Sequence, residues 1–127
     1  MSGSLPKPTA SELQILTVLW RIGPATVRAV HSELDPDGST GYTTVLKLMQ
    51  IMSEKGLLSR DDRERAHVYR PAVAREQTQG QMVVDMLDRV FGGSASQLVL
   101  RALSEKPATA EELQKIRKML DDLEERA

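Results

Sequence analysis

Glycine and proline residues divide the first 56 residues of the chain into three short segments. The divisions lie at Gly23-Pro24, at Asp35-Pro36-Asp37-Gly38 and at Gly56. Proline fixes one backbone dihedral and glycine reaches positive φ, so each of these sites favours a turn or the end of a helix. This part of the chain can therefore form only short helices, and each needs the others to bury its apolar side.

Each of the three segments carries the signals of an amphipathic helix. Thr9-Ala10-Ser11-Glu12 is a capping box at the start of the first, and Thr26 can cap the second. The third is predicted from about Gly41 to Lys55, followed by Gly56 at the position where helices commonly end in a left-handed residue. Its buried stripe is predicted to consist of Val45, Leu48, Met49 and Met52.

The helical period ends after Gly56, and a β-hairpin is predicted in its place. Leu57–Arg60 and His67–Arg70 are short strand-like runs on either side of a charged tip, Asp61–Arg65. Three helices followed at once by a hairpin form the layout of a winged helix-turn-helix, in which the last helix enters the major groove of DNA. Residues 1–73 are therefore predicted to form a DNA-binding domain.

Residues 74–127 return to the helical period and are predicted to form three helices. Gly92-Gly93-Ser94 separates the first two, and the capping box Thr109-Ala110-Glu111-Glu112 begins the last. Their apolar faces either pack on one another or bury themselves in a second copy of the chain. The second arrangement predicts a dimerisation domain with these contact residues: Met82, Met86, Val90, Leu98, Leu100, Leu113, Ile116, Leu120 and Leu123. The predicted fold class is thus mainly α with a small β-hairpin, a winged helix-turn-helix followed by a three-helix dimerisation region.

The composition disfavours most alternatives to a DNA-binding protein. The chain has no cysteine and two histidines, His31 and His67, so we expect no metal site and no thiol chemistry. No catalytic grouping or phosphate-cradling loop is visible, so we expect neither an enzyme nor a cofactor. Aromatic residues make up 3%, too few for the stacking platforms of single-strand recognition. Without a signal segment or an apolar run near the roughly 18 residues of a membrane span, we expect a cytoplasmic protein with no membrane insertion.

The net charge of the chain is −1, so DNA binding has to rest on a local patch. Residues 1–73 hold nine Lys and Arg against eight Asp and Glu, and residues 74–127 hold eight against ten. The difference between the two parts has the expected sign but is small. The prediction therefore depends on the side chains of the third helix and the hairpin.

The third helix has an exposed face with almost no charge. About 100° per residue brings Thr43, Lys47 and Gln50 within roughly 60° of one another, opposite the buried stripe, with Leu46 beside them. Threonine and glutamine can hydrogen-bond base edges, lysine can bind a guanine or a phosphate, and leucine can contact a thymine methyl group. This helix, residues 41–55, is therefore the predicted recognition helix.

A second set of side chains suits the phosphate backbone. Tyr42 and Thr44 lie at the positive end of the helix dipole, and Arg60, Arg63 and Arg65 are gathered near the hairpin tip. Acidic residues alternate with these arginines, which also fits a solvated turn, just as the polar helix face also fits a solvated helix. The architecture favours DNA binding; the alternative is a protein-interaction module whose winged helix does not bind DNA.

These segments together resemble the penicillinase-repressor family, which includes related copper-transport repressors. The resemblance covers nearly the whole chain from about Thr9. It is carried by "TASELQILTVLWRIGPATVRAVHSEL", "GYTTVLKLMQIMSEKGLL", "RAHVYRPAV" and "GGSASQLVLRALSE". It implies a homodimeric transcriptional repressor whose winged helix binds a palindromic operator in double-stranded DNA and whose three C-terminal helices dimerise. Matched by position, the family's recognition contacts fall on Thr43, Thr44, Leu46 and Lys47.

The resemblance also implies a candidate site of inactivation. In antibiotic-sensing members a membrane-bound sensor metalloprotease leads to cleavage of the repressor, and the matching bond here is Arg101–Ala102. The resistance members carry Asn-Phe at that place, so both residues differ in this chain. Copper-responsive members use C-terminal cysteine pairs, and the lack of cysteine excludes that mechanism here.

Overall fold

The computed structural model describes residues 6–34 and 40–127. Its elements are α1 (Ala10–Ile22), α2 (Val27–Leu34), α3 (Tyr42–Lys55), β1 (Leu58–Asp61), β2 (Val68–Pro71), α4 (Arg75–Arg89), α5 (Ala95–Glu105) and α6 (Ala110–Arg126). This order confirms the predicted fold class, mainly α with a small β-hairpin. The turn predicted at residues 35–38 lies outside the described residues. The chain divides into two compact units, Met1–Met82 and Val83–Ala127, and α4 contains the boundary.

The helix caps predicted from the sequence are present in the first unit. The Thr9 side chain accepts from the Glu12 N–H at 3.2 Å, and the Glu12 carboxylate accepts from the Thr9 N–H at 2.9 Å. The Thr26 hydroxyl oxygen accepts from the Ala29 N–H at 3.2 Å, at the start of α2. These bonds satisfy N–H groups that have no partner inside a helix, which sets where α1 and α2 begin.

The third helix turns its predicted stripe inward. Val45, Met49 and Met52 are fully buried, and Leu48 is half-buried. The helix ends at Gly56, whose φ of 86° lies in the left-handed region and whose N–H donates to the carbonyls of the last turn. A side chain at that φ would be strained, which explains why glycine ends the helix there.

The hairpin forms one residue later than predicted. β1 and β2 pair antiparallel, with Leu58 opposite Pro71 and Asp61 opposite Val68. Leu57 lies outside the hairpin because its N–H donates to the Met52 carbonyl at 2.9 Å, as part of the helix exit. The predicted strands Leu57–Arg60 and His67–Arg70 are therefore right in kind and displaced by one position.

A further bridge joins the hairpin to the segment between α1 and α2. Ala25 and Tyr69 exchange two backbone hydrogen bonds, of 2.9 and 2.8 Å. One bridging residue has no period of its own, so the sequence could not reveal this pairing. It holds the hairpin against the start of α2, beside the exposed side of α3.

The core of the first unit lies between its three helices and the hairpin. Its most deeply buried apolar residues are Ile15, Leu16, Leu19, Val30, Val45, Met49, Met52, Leu57 and Tyr69. Burial of each large apolar side chain stabilises the fold by about 1.5–3 kcal/mol. The Trp20 indole N–H also donates to the Val73 carbonyl at 3.1 Å, which ties α1 to the segment after β2. One core thus holds α3 and the hairpin together.

In the second unit the helices are well capped but bury little. The Ser94 side chain accepts from the Gln97 N–H at 3.2 Å, and Thr109 with Glu112 forms the predicted capping box of α6. Every residue of α5 and α6 is described, and none is buried. Across residues 6–34 and 40–127, no helix is both long enough and apolar enough to span a membrane.

Candidate nucleic-acid interface

The exposed face of α3 carries the three residues predicted to read bases. Thr43, Lys47 and Gln50 are all exposed, while the stripe that begins at Val45 faces the core. None of the three side chains forms a hydrogen bond or an ion pair with another described residue. Their donors and acceptors are therefore free to meet a ligand. Leu46, packed against the core and half-buried, lies beside them.

The N-terminus of α3 has backbone N–H groups with no side-chain cap. Gly41 precedes the helix and offers no capping side chain. In the first hydrogen bond of the helix, the Val45 N–H donates to the Gly41 carbonyl oxygen at 3.3 Å. The N–H groups of Tyr42, Thr43 and Thr44 therefore have no partner in the helix. Such groups, at the positive end of the helix dipole, suit a negatively charged oxygen.

Two side chains of α2 hold the ring of Tyr42. The Arg28 guanidinium carbon lies 5.3 Å from the ring centroid, and the His31 ring meets it edge-on, with centroids 5.9 Å apart and planes at 85°. His31 Nε2 lies 2.7 Å from the Thr40 carbonyl oxygen. A carbonyl can only accept, so Nε2 carries the proton. The ring of the first α3 residue is thereby fixed between α2 and the approach to α3.

A groove of about 460 Å³ opens between α2, α3 and the hairpin. Arg28, Arg60 and Arg65 line it from α2 and the hairpin, while Leu46 and Gln50 line it from α3. None of its lining residues in the described part of the chain is acidic. The groove therefore has arginines at its rim and uncharged side chains on the side of α3. A patch of this kind suits a phosphate backbone that passes beside a helix lying in the major groove.

The three predicted hairpin arginines differ in their surroundings. Arg63 binds Asp61 with both guanidinium and backbone donors, at distances of 2.6 to 3.1 Å. Those hydrogen bonds lower the pKa of Asp61 to about 2. Arg60 Nε lies 2.6 Å from an oxygen of Asp62. Arg65 forms no ion pair with any residue in the described ranges.

Arg28 was not predicted as a site residue from the sequence, and His31 was given no role in DNA binding. Both belong to α2, three positions apart, so they share one helical face. That spacing was visible in the sequence, but it did not show that this face meets Tyr42. The crossing of α2 and α3 brings them together. For metal ions, no group of three or more His, Asp or Glu side chains occurs in residues 6–34 and 40–127.

Comparison with known proteins decides the family. The sequence profile of the family described as "Penicillinase repressor" matches residues 8–122. This chain belongs to the penicillinase-repressor family. Membership of a family of transcriptional repressors confirms both the resemblance read from the sequence and the prediction that the chain is a regulator rather than an enzyme.

Characterised relatives cover most of the chain. It is 32% identical over 114 residues to the transcriptional regulator BlaI of Mycobacterium tuberculosis, an alignment that spans 89% of this chain and 82% of that protein. It is 21% identical over 118 residues to the penicillinase repressor of Bacillus licheniformis, spanning 93% of this chain and 92% of that one. The similarity therefore extends through both compact units.

Solved structures match the winged-helix part of the fold. The solution structure of the DNA-binding domain of the repressor BlaI superposes with a TM-score of 0.51 at 22% identity, over 58% of this chain and 90% of that one. The monomeric form of Bacillus licheniformis BlaI in complex with the blaP half-operator gives a TM-score of 0.50 at 22% identity, over 57% and 89%. These matches support the winged-helix fold.

The predicted dimerisation residues of this family member lie at the surface of a single chain. Met82, Met86, Val90, Leu100, Leu120 and Leu123 are exposed, and Leu98, Leu113 and Ile116 are half-buried. Four more large apolar residues that were not predicted are also exposed: Val83, Val84, Val99 and Met119. Exposed apolar side chains in this number between Met82 and Leu123 are typical of a protein interface.

The bond that matches the family's cleavage site lies inside α5. Arg101 and Ala102 are both exposed, and Arg101 forms an ion pair with Glu105 at 3.1 Å, one turn further along. A protease binds its substrate in extended form, so cleavage there would require local unwinding of α5. Inactivation at Arg101–Ala102 by a sensor protease stays a prediction.

Proposed function

We propose that this chain is a transcriptional repressor that binds a palindromic operator as a homodimer, through α3 and an arginine-bearing hairpin. One observation carries the proposal: an exposed, almost uncharged face of α3 lies beside a groove lined by three arginines. A solvated helix has no need of such an arrangement, whereas a helix in the major groove needs both parts. A repressor acts on chromosomal DNA, so the same proposal places the protein in the cytoplasm.

The base contacts fall to the exposed face of α3. Thr43 and Gln50 donate and accept hydrogen bonds at base edges, and Lys47 donates to a guanine or to a neighbouring phosphate. Leu46 meets the methyl group of a thymine. A helix of 14 residues is about 21 Å long, enough to follow the floor of the major groove across several base pairs.

The phosphate contacts flank these base contacts on both sides. Free N–H groups in the first turn of α3, at Tyr42 and Thr44, bind one phosphate. Arg65 in the hairpin, together with Arg28 from α2, binds the backbone that lies along the groove. These contacts set the register in which Thr43, Lys47 and Gln50 meet the bases.

Dimerisation follows from the second unit. Its helices hold exposed apolar faces that a second copy of the chain would cover with the same faces, as a two-fold axis requires. Two recognition helices then meet half-sites about 34–36 Å apart, which is one turn of DNA. A palindromic operator matches this symmetry.

Binding to DNA from the region upstream of the protein's own gene tests the proposal. We expect a complex by fluorescence anisotropy at 50 mM salt that weakens strongly at 200 mM, because phosphate contacts release counterions. A scrambled duplex of the same length and composition serves as the control and should bind more weakly at both salt concentrations. Absence of any complex at 50 mM salt would contradict the proposal.

The exposed apolar faces of α4 to α6 also favour a second candidate. They would equally suit a different protein, in which case the chain is an interaction module whose winged helix does not bind DNA. The same experiment separates the two functions. Sequence-specific DNA binding supports the repressor, while its absence at low salt, together with a monomeric protein in solution, favours the module.

A further inference from the structure

The hairpin segment from Arg60 to Arg65 carries no net charge although it is rich in arginine. Arg60, Arg63 and Arg65 are balanced by Asp61, Asp62 and Glu64. Four of these six side chains form two ion pairs within the hairpin. A hairpin selected only to attract DNA would gain nothing from the carboxylates, because each one repels the phosphate backbone.

The pair between Asp61 and Arg63 has the geometry of a clamp. Arg63 Nε lies 3.0 and 3.1 Å from the two carboxylate oxygens, and Nη2 lies 2.6 Å from one of them. The Arg63 backbone N–H donates to the same carboxylate at 3.0 Å, which holds the turn as well as the side chain. A two-donor contact of this type is stronger and better oriented than a single hydrogen bond.

The second pair restrains Arg60 in the same way. Its Nε lies 2.6 Å from one oxygen of Asp62, and Nη2 donates to the other at 3.2 Å. Nδ1 of His67, the residue before β2, lies 3.7 Å from the same carboxylate. Arg65, in contrast, forms no ion pair with any described side chain, although it lines the same groove as Arg60.

These pairs change the balance of DNA binding. A phosphate that approaches Arg63 has two options. It can displace the Asp61 carboxylate, which then lies beside the phosphate and repels it, or it can bind more weakly to an arginine that Asp61 already neutralises. The gain from counterion release is reduced in both cases. This reduction matters most on non-specific DNA, where binding rests almost wholly on phosphate contacts and a free arginine finds a phosphate in every register.

We propose that Asp61 and Asp62 are specificity-determining residues, which hold Arg63 and Arg60 back from the DNA backbone and so keep sequence-independent binding weak. Arg65 is then the hairpin cation that contacts phosphate. The inference rests on the proposed DNA-binding function and deepens it.

The test measures operator and scrambled DNA side by side with wild type and Asp61→Asn, from 50 to 300 mM salt. Asparagine keeps the shape of the side chain and can still accept from the Arg63 N–H, but it cannot neutralise the guanidinium. Binding of scrambled DNA should tighten about five- to tenfold at 100 mM salt, and the slope of log K against log salt should steepen by about 0.9. Operator binding should change less, so the specificity ratio falls.

Matched variants show whether the release of Arg63 causes the change in salt slope. Asp121→Asn removes one negative charge from an exposed position on α6 and should leave the slope for scrambled DNA unchanged. Asp61→Asn combined with Arg63→Gln should return that slope to the wild-type value, because the released cation is gone. In a background with both carboxylates intact, Arg65→Gln should weaken operator binding more than Arg63→Gln does. The last comparison does not depend on the fold of the Asp61 variant.

The outcomes separate this inference from the function on which it rests. A wild-type protein that binds neither DNA at 50 mM salt contradicts the proposed function itself. If the wild type binds the operator and Asp61→Asn leaves the affinity and slope for scrambled DNA unchanged, the role of the carboxylates is overturned. Equal losses from Arg63→Gln and Arg65→Gln would overturn the assignment of Arg65.

Discussion

Lys47 and Lys55, both on α3, differ in their surroundings. Lys47 lies on the exposed face of α3 and forms no hydrogen bond or ion pair within the described residues. Lys55, two turns later, donates to the carboxylate of Glu12 on α1 at 2.7 Å. A charge already bound inside the fold stabilises the fold, whereas an unbound charge beside Thr43 and Gln50 is available to a ligand. Lys55 therefore contributes to stability, whereas Lys47 is the lysine that we propose for DNA binding.

Replacement of Lys47 by alanine should weaken binding to the cognate operator. The loss should be about 1–3 kcal/mol if the ammonium binds a guanine, and discrimination at one base position should relax. If it binds a phosphate, all sequences should weaken alike and the salt slope should fall by about one. Fluorescence anisotropy on operator and single-base variants measures both. Lys106→Ala removes an equal charge outside α3 and should change neither quantity, and unaltered operator affinity in Lys47→Ala would refute the assignment of the recognition helix.

At the scale of the elements, α1 and α3 are joined by one partly buried ion pair. The Glu12 side chain is only 4% exposed, and it accepts from both Lys55 and the Thr9 N–H. Burial raises the pKa of the Glu12 carboxyl, but the hydrogen bonds from Lys55 and Thr9 outweigh burial and leave the pKa below its ordinary value of 4.5. The start of α1 and the end of the recognition helix are thereby fixed to each other.

The stability of the first unit should depend on the protonation of Glu12. Because the pKa of Glu12 is lower in the folded chain, its contribution is fully present above about pH 4.5 and is lost as the pH falls through the folded pKa. Glu12→Gln should lower the free energy of unfolding by about 1–2 kcal/mol at pH 7, and less at pH 3. Urea denaturation followed by circular dichroism at a series of pH values measures the difference.

The matched control is Glu112→Gln. Glu112 forms the same capping box with Thr109, but its carboxylate is exposed and has no lysine within ion-pair distance among the described residues. Its replacement should therefore cost less at pH 7 than that of Glu12. If the free energy of unfolding differs between wild type and Glu12→Gln by the same amount at pH 7 and at pH 3, the charge of Glu12 contributes nothing to stability.

The elements of the candidate site differ in how far the sequence could predict them. Helical periodicity alone put Thr43, Lys47 and Gln50 on an exposed face, because α3 is a regular helix whose apolar stripe fixes its rotation. The contact of Arg28 with Tyr42 depends on how α2 crosses α3, which no local pattern encodes. The partners of the hairpin arginines were likewise undetermined, since each arginine has several acidic neighbours along the chain.

At the scale of the whole molecule, two compact units differ in how they are stabilised. The first has a core of buried apolar residues, whereas α5 and α6 in the second contain no buried residue. Capping and i,i+4 ion pairs such as Arg101 with Glu105 contribute only tenths of a kcal/mol to about 1 kcal/mol each, too little to hold three helices in place. We therefore expect the second unit to be stabilised by burial against a partner, and the proposed homodimer would supply it.

Charged residues on the apolar face of α6 should dissociate the proposed dimer. Ile116 and Leu120 are one turn apart on the same face, so Ile116→Glu with Leu120→Glu places two carboxylates where apolar contact is needed. We expect monomers by sedimentation velocity and a large loss of operator affinity, because each half-site then binds alone. Gln114→Glu adds a negative charge on the opposite face of α6 and should leave the assembly unchanged. A dimer that persists in the double variant would contradict the assignment of this face of α6 to the dimer interface.

The sequence by itself determined where each helix begins and ends, because caps, glycines and apolar periods act over four or five residues. Thr9 with Glu12 and the left-handed Gly56 follow from such signals alone. The tertiary structure decided what lies beside what: Glu12 meets Lys55 across 43 positions, and Ala25 pairs with Tyr69. Those contacts depend on how the helices cross around a shared core, and this crossing brings three short helices and a hairpin together into the surface that we propose for DNA binding.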